Sequence, residues 1–318
     1  MGSHKYLQAA EAAIRTFLSP TKEDRCIVLC DRSGRSIGEL FYQAFEAISS
    51  RIVFMQTPLP AIYNGELDGL LKGAFGKTTH AVVILPDFIP ASLPGWLAHL
   101  QHNRVLCVHA ARPQTLLRWL QAARPRSIEK TEKLADLLSI GKKMVLSTRS
   151  GATLTLPLSR RIGLPDVRST QRSNYTVFLP SGEVRLQPNA RALTGNWQVD
   201  FIAGQKAGQV PVEIALKEGK LAKVRGQSAM ANDIRKFFKN HGAGSRQVLE
   251  ISVGTNDSFA FGKSAIEDRK VRGALTITFG DPEAIAAGHG SETLSLITAM
   301  ATITIDGRTI VDRGQLLI

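Results

Sequence analysis

The sequence predicts an α/β domain with a parallel sheet, followed by a β-rich domain whose strands are mostly antiparallel. Two observations carry this prediction. Up to about residue 140, short apolar runs alternate with stretches of helical spacing, which is typical of parallel strands joined by crossover helices. Beyond that point the runs are short and alternate between apolar and polar residues, which favours antiparallel strands. The predicted domains are residues 1–140 and 141–318.

Four apolar runs of the first domain are predicted strands, with helical patterns between them. The strands are RCIVLC, RIVFMQ, HAVVILP and RVLCVHA; the helical patterns are IGELFYQAFEAI and segments around Leu67–Phe75, Trp96–Gln101 and Gln114–Ala122. Because β-α-β crossovers are right-handed, this order predicts a Rossmann-like or flavodoxin-like layer. The first strand-to-helix turn contains Gly34 and Gly38 but neither GxGxxG nor GKS or GKT, so we interpret these glycines as turn and packing residues.

The second domain follows a predicted connecting helix, TEKLADLLSIGKK. A hairpin pattern comes first, in KMVLSTRSG and ATLTLPL. Further alternating runs and one predicted helix at Met230–Gly242 follow; the runs are SGEVRLQP, NWQVDFIA, VPVEIAL, KLAKVRG, RQVLEISVG, RGALTITFG and ATITIDGRTIV. The alternation predicts strands with one covered face.

Composition indicates a soluble, cytoplasmic protein. Of the 318 residues, 43% are hydrophobic and 21% are charged, which is typical of globular domains. No apolar run approaches the ~20 residues that a membrane helix needs, so no membrane association is expected. The three cysteines, Cys26, Cys30 and Cys107, lack the spacing of a redox motif or a zinc site, and buried reduced thiols are predicted.

The chain is strongly basic, with a net charge of +13 and denser basic stretches at Arg112–Lys133 and Arg160–Arg172. This charge indicates either an acidic partner or a solvated basic surface. A nucleic-acid partner is not expected, because no nucleic-acid-binding motif accompanies the charge.

Four phrases of the second domain go beyond a generic strand pattern. They are, in order, FLPSGEVRLQP, LEISVGTN, RGALTITFGDP and TITIDGRTIVDRGQLL. These phrases resemble the aminopeptidase T family of metallo-aminopeptidases, whose scaffold is shared by the 2,5-dihydroxypyridine dioxygenases. The resemblance extends over most of the chain as an order of elements, and it is most specific at Pro180–Glu183 and at Glu250 with Gly254–Asn256.

The resemblance implies that Glu183 and Glu250 are metal-binding glutamates. In the peptidases, two histidines and an aspartate complete a two-metal centre that activates water and polarises a carbonyl. In the dioxygenases, a smaller set of Glu and His-x-Asp holds one iron with positions open for oxygen.

The sequence departs from this pattern at three positions. Thr276 stands where the family strand, which reads like GTIHIALG, has its histidine, and Thr293 and Ser295 stand where the family has His-x-Asp. A neutral hydroxyl is a poor ligand beside carboxylate and imidazole, so the metal site is predicted to be lost and no cofactor is expected. A rearranged metal site built from Glu183, Glu250, His289 and Glu292 is the alternative.

Without a metal, Glu183 and Glu250 need partners, because an unpaired buried carboxylate is costly. They either pair with cations such as Arg185, Arg269 or Lys270 and hold the fold, or they face the former substrate cleft. In the cleft they would bind an amine or guanidinium, or one would act as a general base with a raised pKa. The other predicted binding residues of this region are Thr276, Thr293, Ser295, Asn256 and His289.

The preferred prediction is a non-hydrolytic aminopeptidase T-like protein that binds a peptide or protein partner, as a recruitment or tailoring factor in peptide natural-product biosynthesis. One alternative is an active metalloenzyme, either an aminopeptidase or a ring-cleaving dioxygenase. The other is a metal-free acid/base enzyme that uses Glu183 or Glu250. Members of this scaffold are commonly dimers, so the resemblance implies a homodimer or a heterodimer with a paralogue.

Overall fold

The computed structural model describes residues 2–58, 68–84, 103–109, 112–158, 163–167, 174–206, 210–286 and 292–318. These residues form two compact units. The first unit contains the described residues within Met1–Arg124, Asp166–Ser181 and Ile285–Gly290. The second contains those within Pro125–Pro165, Gly182–Ala284 and Ser291–Ile318.

The first unit is built on a parallel five-stranded sheet. Its strands are β1 (Cys26–Cys30), β2 (Ile52–Gln56), β3 (His80–Ile84), β4 (Arg104–Val108) and β8 (Tyr175–Leu179). Their order is β2-β1-β3-β4-β8 and every pair is parallel, which confirms the predicted parallel sheet in its flavodoxin-like order. Every residue of β1 and β3 is buried, as expected for strands covered on both faces.

Four described helices belong to this part of the chain. They are α1 (Gly2–Ala13), which continues as a π-helical turn at Ile14–Leu18, α2 (Arg35–Glu46), α3 (Asp68–Phe75) and α4 (Pro113–Ala122). The predicted helix at Trp96–Gln101 lies outside the described residues. Gly38 faces Phe54 and the Sγ of Cys30 so closely that a Cβ atom would meet both, as expected of a packing glycine.

All three cysteines are free and buried. Burial raises the pKa of the Cys26 and Cys30 thiols to about 12, so both are neutral and inert at physiological pH.

The second unit contains two sheets whose described pairs are antiparallel. A five-stranded sheet has the order β19-β18-β17-β5-β6, from β5 (Lys143–Ser147), β6 (Thr153–Pro157), β17 (Thr302–Ile305), β18 (Arg308–Asp312) and β19 (Gln315–Leu316). The β5–β6 hairpin confirms the hairpin pattern at the start of this domain.

A nine-stranded sheet has the order β10-β12-β13-β14-β15-β16-β11, with β9 also paired to β14 and β7 paired to β9. Its strands are β7 (Leu164–Pro165), β9 (Glu183–Leu186), β10 (Gly195–Val199), β11 (Phe201–Ile202), β12 (Val212–Lys217), β13 (Lys220–Val224), β14 (Gln247–Gly254), β15 (Leu275–Gly280) and β16 (Leu294–Thr298). The predicted mostly antiparallel sheet structure is therefore confirmed.

The remaining described helices are α5 (Pro125–Ile140), α6 (Ala229–Asn240), α7 (Ala265–Asp268) and α8 (Pro282–Ala286), with short 3-10 turns at Ala190–Ala192 and Gly244–Arg246. The predicted helix near Met230–Gly242 corresponds to α6. Among the described residues, none of the helices is both long enough and apolar enough to cross a membrane.

The core of the second unit lies against one face of β14 and β15. Ile251 and Val253 of β14 and Leu275, Ile277 and Phe279 of β15 belong to a single buried apolar cluster. Because side chains alternate along a strand, the residues between them point to the opposite face. That opposite face is polar and carries the candidate site.

Candidate functional site

Polar side chains occupy one face of four neighbouring strands in the second unit. The cross-strand rows are Glu183 with Gly254, Arg185 with Ser252 and Thr276, and Glu250 with Thr278 and Ser295. A register shift lies just before Glu250, and the alternation is regular from Glu250 to Gly254. The two glutamates that the family resemblance singles out therefore share one sheet face, with the Ser252 row between them.

A buried ion cluster joins these glutamates, and Arg269 is its centre. The Nη2 and Nε of Arg269 donate to Glu183 Oε2 at 3.2 and 3.3 Å, and Nη2 also donates to Glu250 Oε1. Lys270 Nζ donates to the other oxygen of Glu183, Oε1, at 2.9 Å. All four side chains are buried, so each charge depends on its partners in place of water.

The cluster shifts the pKa values of Glu183 and Arg269 in the directions that favour their charged forms. Burial alone would raise the pKa of Glu183, but the attraction of Arg269, Lys270 and Arg185 outweighs it and holds that pKa well below its usual range. Burial would likewise lower the pKa of Arg269, but the two carboxylates raise it. The pKa of Glu183 thus moves opposite to the raised value that a general base at neutral pH needs.

The turn after α7 delivers Arg269 and Lys270 to the sheet face. Asp268, which ends this helix, is buried and accepts a hydrogen bond of 2.8 Å from the backbone N–H of Gly262. The carbonyl of Lys270 accepts a hydrogen bond of 2.9 Å from the N–H of Asn256. The segment that carries the two cations is therefore fixed to the end of β14, beside the glutamates.

The glycines of the GEV and GTN phrases allow close backbone approach around the cluster. Gly182 has a φ of 123°, which favours glycine, and a Cβ atom there would collide with Asn256. A Cβ atom at Gly254 would collide with the carbonyl oxygens of Arg269 and Val271. Asn256 accepts a hydrogen bond of 2.8 Å from the N–H two residues later, so its side chain shapes this loop. Its predicted binding role stays a prediction.

Helix α5 is joined to the same loop by a hydrogen bond between two hydroxyls and by an ion pair. The hydroxyls of Thr131 and Thr255 share a hydrogen bond of 2.6 Å, and both residues are buried. Nearer the surface, Lys130 Nζ donates to Asp257 Oδ2 at 2.8 Å, while Arg272 lies 2.8 Å from Oδ1. Sequence reasoning missed Lys130 and Asp257, since the chain separation between them carries no signal of the contact.

The three positions that replace the family's ligands lie in different rows. Thr276 lies opposite Ser252 and Ile297, and Ser295 shares a hydrogen bond of 3.0 Å with Thr278 in the Glu250 row. Thr293 precedes β16 and lies beside Gly280, four residues along β15 from Thr276, or about 13 Å. Ser252, which sequence reasoning also missed, could have been found from its place two residues after Glu250.

The alternative metal site is built partly from residues of the 287–292 region. His289 lies outside the described residues. Glu292 lies at the surface with its side chain 75% exposed, and its Oε2 is 3.1 Å from His241 Nε2. The buried glutamates Glu183 and Glu250 are in a different environment, bonded to Arg269.

The residues present do not fit the metal centre that the resemblance implies. A divalent ion needs carboxylate lone pairs that face it and neutral or anionic neighbours. Here Arg269 and Lys270 donate to both oxygens of Glu183 and to one of Glu250. In the part of the chain that the structure describes, no three His, Cys, Asp or Glu side chains are grouped to hold a metal ion.

The chain is similar in fold to two solved structures. One is a 2,5-dihydroxypyridine dioxygenase from Pseudomonas putida KT2440, with a TM-score of 0.80, 14% identity and coverage of 100% of this chain and 98% of that one. The other is wild-type AmpT from Thermus thermophilus, with a TM-score of 0.64, 13% identity and full coverage of both chains. No protein-family model and no curated protein sequence matches the chain. Identities this low establish the scaffold alone, and the predicted scaffold is confirmed.

Proposed function

We propose that this chain is a non-hydrolytic protein on the aminopeptidase T scaffold, which binds a peptide or protein partner without a catalytic metal ion. One observation carries the proposal: the guanidinium of Arg269 lies between Glu183 and Glu250, the two glutamates that correspond to metal ligands in the resemblance. Lys270 neutralises the remaining oxygen of Glu183. Arg269 and Lys270 thus supply the positive charge beside these glutamates that metal ions supply in the peptidases.

Charge repulsion supports this proposal. A dication about 4 Å from either Arg269 or Lys270 would be repelled by about 8 kcal/mol at an effective dielectric constant of about 20. The guanidinium would have to leave both carboxylates before a metal ion bound them. Such a departure is itself costly, because it would leave a buried cation without partners.

The sheet edges and the charge of the chain support a peptide partner. In the described part of the chain, β6 pairs with β5 alone and β19 pairs with β18 alone. An extended peptide adds to such an edge through main-chain hydrogen bonds. The net charge of +13 favours an acidic partner. We further propose a recruitment or tailoring role in peptide natural-product biosynthesis.

Metal analysis tests the first half of the proposal. The full chain, purified without chelators, is expected to contain well under one equivalent of Zn, Co, Mn or Fe. Addition of Zn²⁺ or Co²⁺ is expected to produce no release of amino acids from short peptides. A stoichiometric metal content, or metal-dependent hydrolysis, would contradict the replacement of the metal by Arg269 and Lys270.

Titration calorimetry tests the second half. The probes are the products of any short precursor-like reading frames found beside the gene, each with a scrambled peptide of the same composition as its control. We expect saturable binding of at least one native peptide and none of its scrambled form. Absence of saturable binding for all of them would remove the support for a peptide-binding role.

We also propose that the chain forms a homodimer or a heterodimer with a paralogue. Sedimentation equilibrium of the chain alone, and then mixed with a paralogue encoded nearby, tests this. A monomer under both conditions would contradict it.

A further inference from the structure

One segment of the second unit carries a large share of the positive charge of the chain. Residues 217–246 contain eight Lys or Arg and two Asp or Glu, a net charge of +6, whereas the whole chain of 318 residues has a net charge of +13. This segment is distinct from the two denser basic stretches at Arg112–Lys133 and Arg160–Arg172. Its cations are spread over several elements, so only the fold shows that they belong together.

The structure gathers these cations on neighbouring elements. The segment consists of the end of β12, then β13, α6 and the 3-10 turn at Gly244–Arg246. Leu221 of β13 and Phe238 of α6 belong to the same buried apolar cluster, so the strand and the helix share one core. We define six of the cations as the basic surface: Lys217, Lys220, Lys223, Arg235, Lys239 and Arg246.

Two lysines of the basic surface face each other across the β12–β13 hairpin. Lys217 lies directly opposite Lys220, and both are exposed. On its other side Lys220 lies opposite Gln247, which is neutral. Like charges in directly opposite positions destabilise a pair of strands. An acidic group from a partner molecule would remove this repulsion.

Two arginines of the basic surface are held by main-chain carbonyls. Arg235 Nη2 donates to the carbonyl oxygen of Val224 at 3.2 Å and to that of Gly226. Arg246 Nη1 donates to the carbonyl oxygen of Leu221 at 3.4 Å. A carbonyl positions a guanidinium without neutralising its charge, and a guanidinium has five N–H donors. Both arginines are therefore positioned in advance and keep N–H donors for an acidic ligand.

The carboxylates of the second unit leave the basic surface uncompensated. Within residues 217–246, the described contacts between basic and acidic side chains are Arg225 with Glu213, at 2.8 Å, and His241 with Glu292, at 3.1 Å. Neither includes a cation of the basic surface. In the part of the chain that the structure describes, these six charges therefore face solvent without a salt bridge.

The dipole of α6 accounts for only one of these cations. Lys239 lies in the last turn of the helix, where a positive charge is favourable without any partner. Arg235 precedes it by one turn on the same side of the helix, and like charges in that relation destabilise a helix slightly. The lysines of the hairpin gain nothing from a helix end, so the set as a whole calls for an external anion.

The chemistry of the basic surface fits carboxylates better than nucleic-acid bases. Single-stranded nucleic acids stack their bases on aromatic side chains. The aromatic residues of α6 are engaged within the protein, because Phe238 is buried and Phe237 is stacked on His241 with ring centres 4.3 Å apart. Carboxylates require only cations and N–H donors, which the hairpin and the two arginines provide.

We propose that the basic surface is the docking site for an acidic segment of the peptide or protein partner. Asp and Glu side chains of that segment pair with the lysines of the hairpin and with the guanidinium groups of Arg235 and Arg246. The polypeptide nature of the ligand rests on the proposed function. The location of the site stands on the six cations that have no salt bridge among the described residues.

Fluorescence anisotropy with four labelled probes tests the chemistry of the ligand. They are a short peptide of alternating Glu and Ser, the same peptide with Gln for Glu, a single-stranded oligonucleotide and a DNA duplex. We expect saturable binding of the acidic peptide to the full chain and none of the Gln peptide. Tighter binding of either nucleic acid than of the acidic peptide would overturn the polypeptide ligand.

Two triple variants locate the binding. Substitution of Gln at Lys217, Lys220 and Lys223 removes the charges of the hairpin, and it is expected to weaken binding of the acidic peptide about tenfold. The matched control removes three exposed lysines from other elements of the same unit, as Lys142→Gln, Lys143→Gln and Lys263→Gln. It is expected to leave the affinity unchanged.

The outcomes separate the basic surface from the proposed function. Equal weakening in the two triple variants would show that net charge alone attracts the peptide, and it would overturn the site, as would a complete lack of binding. If precursor-like peptides bound the hairpin variant as tightly as the native chain, the proposed function would stand without this site. If the acidic peptide bound through the hairpin lysines and no precursor-like peptide bound, the site would stand and the natural-product role would fail.

Discussion

Arg269 and Arg272 lie three residues apart in one segment, and each is paired with a carboxylate, yet their surroundings differ. The side chain of Arg269 is 4% exposed and lies between Glu183 and Glu250. The side chain of Arg272 is 47% exposed and faces Asp257, which also receives Lys130. The same residue type, at almost the same point of the chain, makes a buried bridge in one case and a surface pair in the other.

The difference indicates that burial, more than the presence of a partner, decides how much stability is lost when one member of an ion pair is removed. A surface pair can exchange its partner for water, so losing one member costs little. A buried pair has no such substitute, and removing one member leaves an uncompensated charge. We therefore expect the Arg269 cluster to contribute much more to the stability of the site than the Asp257 pairs do.

The largest predicted effect follows from Arg269→Met. This variant leaves two buried carboxylates without the guanidinium that bridges them, so the free energy of unfolding is expected to fall by about 3–5 kcal/mol at neutral pH. The measurement is urea unfolding. The loss should shrink as the pH falls from 7 towards 4, because protonation of the carboxylates removes the uncompensated charge.

Arg272→Met is the matched control for this prediction. It removes the same guanidinium from an exposed pair, and the expected loss is about 1 kcal/mol or less, with no pH dependence of the kind seen for Arg269. Equal losses for the two arginines would contradict the comparison. A loss at Arg269 that did not diminish in acid would show that the carboxylates are not the cause.

Substitution of the two threonines of β15 is expected to change the free energy of unfolding by a smaller amount, and differently at the two positions. Thr278→Val removes a hydroxyl bonded to Ser295 and is expected to destabilise the fold by about 1 kcal/mol. Thr276→Val removes a hydroxyl without a partner among the described residues, so it is expected to be neutral or to stabilise the fold by up to about 1 kcal/mol.

Thermal unfolding of the ligand-free chain measures both threonine variants. An equal loss at the two positions would mean that the Thr276 hydroxyl has a partner in solution, such as ordered water. A loss at Thr278 alone would show that the same side chain is hydrogen-bonded in one row and unbonded in the next.

Sequence alternation predicts these strands and the face that the two threonines share, since the period of two is a property of the strand itself. It does not predict which threonine is bonded. Thr276 and Thr278 look equivalent in GALTITFG, and only the register with β16 puts Ile297 opposite one and Ser295 opposite the other. Register depends on contacts between distant segments, which a single strand does not encode.

The sequence also predicts the candidate partners of the glutamates without choosing among them. Arg185, Arg269 and Lys270 are all close in sequence to the GEV or GTN phrases, and all three are cations. The choice is made by the turn after α7, which Asp268 holds by its bond to Gly262. The sequence also does not predict that β8 joins the parallel sheet of the first unit, because a short apolar run fits either kind of sheet.

The smallest predicted effect, and the one that sharpens the contrast most directly, is at Asp257. Although partial burial alone would raise the pKa of Asp257, hydrogen bonding and attraction from Lys130, with Arg272, lower it. Its contribution to stability is therefore present above the ordinary aspartate pKa and is lost as the pH falls below it. Asp257→Asn is expected to cost about 1 kcal/mol at pH 7, since Asp257 is partly exposed and the amide oxygen of asparagine can still accept a hydrogen bond from the buried Lys130. Urea unfolding in about 0.05 and about 0.5 M NaCl separates the two regions. The higher salt concentration should remove most of the loss of unfolding free energy caused by Asp257→Asn. It should leave the loss caused by Arg269→Met nearly unchanged, because buried ion pairs are screened much less. If salt reduced both equally, the ion cluster would have to be accessible to water, and the proposal that it replaces the metal would fail.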